Sequence, residues 1–144
     1  MILLDTTVLL YAVGAQHPLR EPCRALVAAV GDGRVAATTT VEVLHEFAHV
    51  RARRRGREDA AALTANYAIL LAPLVTVDAD DLAGGLRVFR AHEELGAFDA
   101  VLVAAALRRE HITGLVSADR AFAAVDGLVH LDPGSPEDLS SLGL

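Results

Sequence analysis

Four acidic residues in widely separated parts of the chain have the side-chain chemistry of a hydrolytic metal site. They are Asp5, Glu46, Asp99 and Asp119. Carboxylates held close together raise one another's pKa, so such a group stays charged only where cations or hydrogen-bond donors offset the repulsion. Oxygen ligands suit Mg²⁺ or Mn²⁺, which keep bound waters and contact substrate phosphates. If the fold brings these acids together, the chemistry they favour is hydrolysis of phosphodiester bonds.

Two of these acids directly follow predicted strands. Asp5 ends the apolar run that begins the chain, and Asp119 comes after the apolar stretch Leu115–Ser117. Because the carboxyl ends of parallel strands meet at one edge of a sheet, we expect the two carboxylates to lie near each other. Each could instead accept hydrogen bonds at the start of a following helix, and Asp99 could do the same. The residues alone leave both roles open.

Apolar runs alternate with helical patterns along the chain. Strands are expected at Ile2–Leu4, Val35–Thr38, Leu74–Val77, Leu115–Ser117 and Leu128–Leu131. Helices are expected at about Pro18–Val30, Val41–Arg54, Arg57–Leu71, Asp78–Glu94 and Phe98–Arg109, with a short one at Arg120–Ala124. This order predicts a single α/β domain with a mainly parallel central sheet flanked by helices. We assign residues 1–132 to that domain and residues 133–144 to a polar C-terminal tail.

Composition narrows the class of protein. The chain has 144 residues, of which 53% are hydrophobic, and this fits a packed globule. Its net charge of −6 argues against a general nucleic-acid binder but permits a local basic strip. We see no membrane span and no signal peptide, and therefore expect a cytoplasmic protein. Cys23, the single cysteine, excludes an internal disulfide and is expected to be a small core residue.

A five-residue segment matches the zinc-protease pattern H-E-x-x-H through His45, Glu46 and His49. In that pattern two histidines one helical turn apart bind zinc, and the glutamate acts as a general base. Zinc needs a third protein ligand, and the chain lacks the later glycine and histidine of the extended motif. Glu58 or Asp59 could supply this ligand. The alternative interpretation makes the two histidines polar residues on the outer face of a helix.

Four short segments resemble, in order and spacing, the motifs of PIN-domain ribonucleases. They are Met1–Thr7 (MILLDTT), Thr40–Phe47 (TVEVLHEF), Gly96–Val103 (GAFDAVLV) and Ser117–Phe122 (SADRAF). Each motif is weak by itself, but four in register over most of the chain are specific. Within that superfamily the chain most resembles the VapC toxins of type II toxin–antitoxin systems.

The resemblance implies a fold, an activity and a set of partners. It implies a parallel sheet flanked by helices and an endoribonuclease that depends on Mg²⁺ or Mn²⁺ and is inhibited by a VapB-like antitoxin. Carried over by position, the four acids named above become the metal-binding catalytic site. Thr7 matches a family hydroxyl that helps to order the site, and Ser117 matches the hydroxyl residue before the last acid. We also expect a homodimer.

Two positions leave details of the site open. Glu42 lies one helical turn before Glu46 on the same face, so spacing alone does not decide which one points inward. The family pattern favours Glu46, because Thr40 matches a small hydroxyl residue six positions before the glutamate of the motif. Many relatives have a further acid two positions after the last one, where this chain has Ala121. That departure weakens the case for a fully occupied second metal site, and the RNA target is not specified.

Five arginines form a basic strip at the junction of two predicted helices. They are Arg51, Arg53, Arg54, Arg55 and Arg57. They could be solvated residues that complete a helix dipole. They could equally contact RNA phosphates beside the acidic site, or an acidic antitoxin tail.

The remaining polar and aromatic residues are expected to be structural. Asp78, Asp80 and Asp81 are expected to form a solvated helix cap. The four phenylalanines are expected in the core, and the histidines outside the zinc pattern, His17 among them, at the surface or as caps. A non-catalytic binding module, whose acids serve only as caps, is therefore the third interpretation.

Overall fold

A computed structural model describes residues 1–144 and contains one four-stranded, fully parallel sheet. Its strands are β1 (Ile2–Leu4), β2 (Ala37–Thr38), β3 (Gly114–Val116) and β4 (His130–Leu131). The spatial order is β2-β1-β3-β4, and Leu3 lies opposite Thr38 on one side and Leu115 on the other. Every residue of β1 and β3 is buried, as an unbroken apolar run predicts for strands covered on both faces.

Seven helices and one short 3₁₀ helix surround the sheet. The helices are α1 (Thr6–Ala12), α2 (Arg20–Gly31), α3 (Val41–Arg55), α4 (Arg57–Leu70), α5 (Ala79–Ala91), α6 (Ala97–Leu107) and α7 (Pro136–Ser141), and the 3₁₀ helix is Arg120–Ala124. This architecture confirms the predicted α/β class with a parallel sheet flanked by helices.

The strand order creates a natural site at the ends of β1 and β3. The chain leaves β1 towards β2 on one side and returns through the later helices to β3 on the other side. Connections that diverge from neighbouring strands leave a crevice beyond their carboxyl ends, which is where open α/β sheets bind ligands. Asp5 and Asp119 follow these two strands, so the topology brings both carboxylates to the crevice.

The predicted strand at Leu74–Val77 is wrong. Only one isolated parallel bridge forms there, between Thr40 and Val75, with the Val75 amide donating to the Thr39 carbonyl at 2.9 Å. The neighbouring chain cannot extend the ladder, because the Thr40 side chain accepts from the Val43 amide at 3.1 Å and thereby begins α3. Helix capping therefore ends the pairing after a single residue.

Helices α5 and α6 pack against each other in close contact. A β-carbon at Gly85 would lie 2.7 Å from the Val101 Cα, so only glycine permits this approach. Asp81 at the start of α5 is fully buried and accepts hydrogen bonds from the guanidinium groups of Arg108 and Arg109 at the end of α6. The expectation of a solvated cap is wrong for Asp81. Its contacts anchor the helix that carries Asp99.

The core is continuous across the sheet and the inner faces of the helices. Phe47 packs edge-to-face against Tyr67, and Phe122 is also fully buried. Phe89 and Phe98 depart from the expectation, because their side chains are 43% and 37% exposed on the outer surface of α5 and α6. No other part of the chain covers these two side chains.

Cys23 is fully buried and unpaired, as expected for a small core residue. No helix in the structure combines the length and apolar character needed to cross a membrane. Residues 133–144 include α7, and Leu142 and Leu144 pack on the core. The assignment of these residues as a separate tail stays a prediction.

Candidate active site

The four acids from the sequence line one cavity of about 200 Å³ at the carboxyl ends of β1 and β3. Each comes from a different part of the fold: the end of β1, the middle of α3, the first turn of α6 and the loop after β3. The other lining residues are Thr6, Thr7, Leu10, Val50 and Phe122. Carboxylates far apart in sequence thus share one small, half-open space.

Asp5 is held in a single orientation by donors that converge on one of its oxygens. Its side chain is 3% exposed, and Oδ2 accepts from the Ser117 hydroxyl at 2.7 Å and the Thr7 hydroxyl at 2.8 Å. The Thr7 amide donates to the same oxygen at 3.3 Å, so Asp5 also caps α1. Oδ1 makes none of these bonds and is free to accept a cation or a donor from a ligand. Capping and ligation are therefore compatible here.

The two hydroxyls that orient Asp5 also fix the loop after β3. The Ser117 hydroxyl oxygen accepts from the Asp119 amide at 3.0 Å, and the Thr7 hydroxyl oxygen accepts from the Ala118 amide at 3.1 Å. Each hydroxyl thus donates to Asp5 and accepts from the backbone of the facing loop. This arrangement sets the position of Asp119 relative to Asp5.

Glu46 points into the acidic cavity, where its carboxylate accepts a hydrogen bond from the Thr6 hydroxyl. Glu42 lies one turn earlier and lines a separate, largely apolar cavity of about 270 Å³ together with Val77 and Phe98. The geometry therefore separates the two glutamates that helical spacing left equivalent. Sequence reasoning did not assign a role to Thr6, although its place beside Thr7 in a Thr-Thr pair was a signal.

The surroundings of Asp99 shift its pKa. Burial, and then the negative charges of Asp5, Asp119 and Glu46, together raise its pKa from the usual value to about 6. Asp119 is more exposed and accepts from the Ala121 amide at 2.9 Å, so it also begins the 3₁₀ helix. The ionised cluster is therefore costly without a positive charge inside it.

The donor set fits a hard divalent cation in composition. It offers four carboxylates and no sulfur or nitrogen ligand, which is the chemistry of Mg²⁺ and Mn²⁺ sites. No three acidic, histidine or cysteine side chains approach closely enough to coordinate one ion as they stand.

The zinc pattern does not form a metal site. His45 and His49 are exposed on the outer face of α3, whereas Glu46 faces the acidic cavity. Asp59, one possible third ligand, is instead paired with the guanidinium group of Arg51. The interpretation of the histidines as outer polar residues agrees with this placement.

The basic strip divides into two parts. The Arg51 guanidinium pairs with Asp59 and donates to the Val13 carbonyl at 2.9 Å, so it joins the α3–α4 corner to the end of α1. The side chains of Arg53, Arg54, Arg55 and Arg57 are exposed and form none of the ion pairs in the structure. Of the five arginines of the basic strip, only these four are available to an external anion.

Comparison with known proteins shows the family of the chain. Residues 2–128 match the model of the PIN domain family. The chain is 51% identical to ribonuclease VapC7 of Mycobacterium tuberculosis over 99% of both chains, and 35% identical to ribonuclease VapC23 of the same species over 76% of this chain and 86% of the relative.

A solved structure shows the same fold. Mycobacterium tuberculosis VapC20, described as a Sarcin-Ricin loop cleaving toxin, superposes with a TM-score of 0.73 over 90% of this chain and 97% of its own. At 23% identity, this likeness concerns the fold alone. Together with the family match and the near full-length relatives, the acidic crevice at β1 and β3 identifies the chain as a member of the PIN domain family and, within it, of the VapC ribonucleases.

Proposed function

We propose that the protein is a metal-dependent endoribonuclease and the toxin of a type II toxin–antitoxin pair, and that it hydrolyses RNA phosphodiester bonds in the acidic cavity. The observation that carries the proposal is that one cavity, at the carboxyl ends of β1 and β3, is lined by all four acids: Asp5, Glu46, Asp99 and Asp119. Nuclease relatives that cover nearly the whole chain support it.

The cofactor we propose is Mg²⁺ or Mn²⁺, held by the four acids. When bound, such an ion supplies charge stabilisation for the phosphoryl group and lowers the pKa of a coordinated water. The residues would contribute a rigid frame. Ser117 and Thr7 fix Asp5 Oδ2 and leave Oδ1 available, and Thr6 holds Glu46 towards the cavity. Ala121, in place of a further acid, supports a site with a single well-held ion.

RNA and an antitoxin are the proposed macromolecular partners. The exposed side chains of Arg53, Arg54, Arg55 and Arg57 follow Glu46 along α3 and the start of α4, and Arg54 lines a cavity that shares Thr7 and Leu10 with the acidic one. Backbone phosphates bind such a strip without base recognition. A VapB-like antitoxin would inhibit by covering the same surface. Action in the reducing cytoplasm is consistent with the buried, unpaired Cys23.

We further propose that the protein is a homodimer formed through α5 and α6. Leu82, Leu86 and Phe89 follow one another at helical spacing on α5 and are 51%, 46% and 43% exposed, and Phe98 of α6 extends the same apolar surface. A two-fold interface presents the same patch from both copies, so a continuous apolar stripe can cover itself. Leu86→Glu is expected to give a monomer in light scattering, whereas Ile69→Glu, at an exposed site on α4, is expected to leave the dimer intact.

The nuclease proposal is tested by incubating the purified protein with single-stranded RNA and Mg²⁺ or Mn²⁺. Cleavage is expected with either ion and is expected to stop when EDTA removes it. Asp5→Ala and Asp99→Ala are expected to lose at least about 10²-fold in rate, the scale of losing an electrostatic group at a reacting centre. Asp126→Ala, an exposed acid outside the cavity, is the matched control and is expected to retain full activity.

Circular dichroism and thermal melts show whether each variant is folded. Full activity in folded Asp5→Ala and Asp99→Ala would contradict the proposal. Cleavage that persists in EDTA would contradict the metal requirement alone.

A further inference from the structure

A second cavity, of about 340 Å³, lies beside the acidic cavity and shares Thr7 and Leu10 with it. We call it the aromatic cavity. Its remaining lining residues come from the end of α1, the loop that follows and α3; they are Tyr11, Gly14, Ala15, Gln16, His17 and Arg54. Because the two cavities share a wall, an RNA strand bound in the acidic cavity can continue directly into the aromatic cavity. None of the four acids lines it.

Two aromatic rings that stack on each other line this cavity. Tyr11 and His17 stack with their centroids 4.5 Å apart and their planes at 25°. The Leu19 amide donates to His17 Nδ1 at 3.1 Å, which fixes the ring and places the proton of the neutral imidazole on Nε2. Unpaired RNA bases are commonly bound by stacking on such rings, with little dependence on base identity. The cavity therefore offers a preformed stacking surface within reach of the acidic site.

An unpaired arginine side chain, that of Arg54, lies at the edge of the same cavity. Arg54 is exposed and takes part in none of the ion pairs of the structure. It also lines a neighbouring cavity of about 440 Å³ with Arg51 and Arg55, which shares Leu10, Gly14 and Ala15 with the aromatic cavity. Of the two arginines beside it, Arg51 is held by Asp59. Arg54 thus brings a guanidinium group, the side chain best suited to phosphate, next to the aromatic pair.

We propose that the aromatic cavity binds the nucleotide of single-stranded RNA that neighbours the cleaved bond. Its base stacks against the Tyr11–His17 pair, and its phosphate pairs with Arg54. This inference rests on the proposed nuclease function and adds to it a specific place for the substrate. Tyr11 and Arg54 are positioning residues, since they contact substrate away from the reacting phosphate. Their loss raises the RNA concentration needed for binding and leaves the acidic site assembled.

Binding is measured directly by fluorescence anisotropy with a labelled, random-sequence single-stranded RNA oligonucleotide in metal-free buffer. Tyr11→Leu, which keeps apolar volume without a ring, and Arg54→Ala are each expected to raise Kd roughly tenfold, the lower end of a lost stacking or phosphate contact. Tyr11→Phe keeps the ring and is expected to bind like the parent protein. Arg24→Ala, an exposed arginine of α2 paired with Glu21, is the charge control and is expected to bind normally.

A second probe separates the two contacts. The same oligonucleotide without bases retains its phosphates but cannot stack. Tyr11→Leu is therefore expected to make no difference to binding of the abasic strand, whereas Arg54→Ala is expected to weaken it still. In cleavage assays with Mn²⁺, both variants are expected to raise KM with little change in kcat.

Unchanged RNA affinity in Tyr11→Leu and Arg54→Ala overturns the proposal. Arg54 is exposed, so its variant is informative even if Tyr11→Leu fails to fold. Normal RNA binding combined with loss of binding to a VapB-like antitoxin would identify a protein-binding groove and would also overturn it. Failure of the nuclease proposal has a different signature, namely no metal-dependent cleavage by the parent protein whatever these binding results show.

Discussion

The Ser117 hydroxyl donates a 2.7 Å hydrogen bond to Asp5 Oδ2 across 112 residues of sequence. Both side chains are almost completely buried, and β1 and β3 are paired directly before them. This contact joins the two strand ends at which the acidic cavity forms. It makes the orientation of one carboxylate depend on the pairing of two strands.

Ser117→Ala is expected to impair the site and destabilise the fold modestly. The change removes a donor to Asp5 and an acceptor for the Asp119 amide. Leaving a buried partner unsatisfied costs about 1–3 kcal/mol in the free energy of unfolding, which urea denaturation measures. We expect a reduced kcat to accompany it. Ser141→Ala, at an exposed hydroxyl of α7, is the control, and an equal effect there would refute the special role of Ser117.

Glu46→Gln and Glu42→Gln form a matched pair on one helix face. Glu46 faces the acidic cavity and accepts from Thr6, whereas Glu42 lines the separate apolar cavity. We therefore expect a large loss of RNA cleavage for Glu46→Gln and none for Glu42→Gln. The ratio of kcat/KM between the two variants is the measurement, and equal losses would show that the assignment is wrong.

Divalent cations are expected to stabilise the protein against heat. An ion that binds the folded state at a hundred times its Kd adds about 2.7 kcal/mol to the free energy of unfolding. Titration with Mn²⁺ should therefore raise Tm in the parent protein. Asp5→Ala should reduce this shift, because it removes a proposed ligand, and the exposed-acid variant Asp126→Ala should preserve it. A shift of equal size in all three would indicate non-specific binding.

Asp81 is expected to give the fold a dependence on acidic pH. Hydrogen bonds from Arg109, and then the backbone and Arg108, hold the pKa of this carboxyl well below its usual range. Its stabilising contribution is complete above the unfolded pKa of about 3.9, and it is lost as the pH falls below that value towards the folded pKa.

Asp81→Ala tests this contribution at neutral pH. Removing one partner of a buried pair costs about 3 kcal/mol, and the loss should shrink as the pH approaches 3. Asp80→Ala is the control, because its carboxylate is exposed and its contact with Arg108 is 3.5 Å long, so a change below about 0.5 kcal/mol is expected. Denaturation curves of both variants at several pH values provide the measurement.

Cys23 is expected to be chemically inert in the folded protein. Burial, with a smaller contribution from the charge of Asp132, raises the pKa of its thiol to about 12. Because the thiolate is the reactive form, a thiol reagent should label the denatured chain rapidly and the native chain only through unfolding. Rapid labelling of native protein would show that the packing around α2 is looser than the structure indicates.

Local sequence determined the fold class and the sheet edge that Asp5 and Asp119 share. The apolar run Ile2–Leu4 predicted an interior strand, and the alternation of strands with helices predicted parallel pairing; the structure contains both. Asp5 and Asp119 directly follow strands, so their positions in the sequence already predict a shared edge of the sheet. These features depend on apolar periodicity and on residues next to one another in the chain.

Tertiary structure decided what depends on contacts between distant elements. The side chain of Glu46, and not that of Glu42, enters the cavity because of how α3 packs, and helical spacing treats both alike. Arg51 is not available to an external anion, because its guanidinium group donates to Asp59 of α4 and to the Val13 carbonyl at the end of α1. The segment 74–77 pairs through Val75 alone because Thr40 begins a helix beside it. The periodicity of a sequence determines which residues share a face of a helix or strand, but only tertiary packing determines which residues or cavity that face contacts.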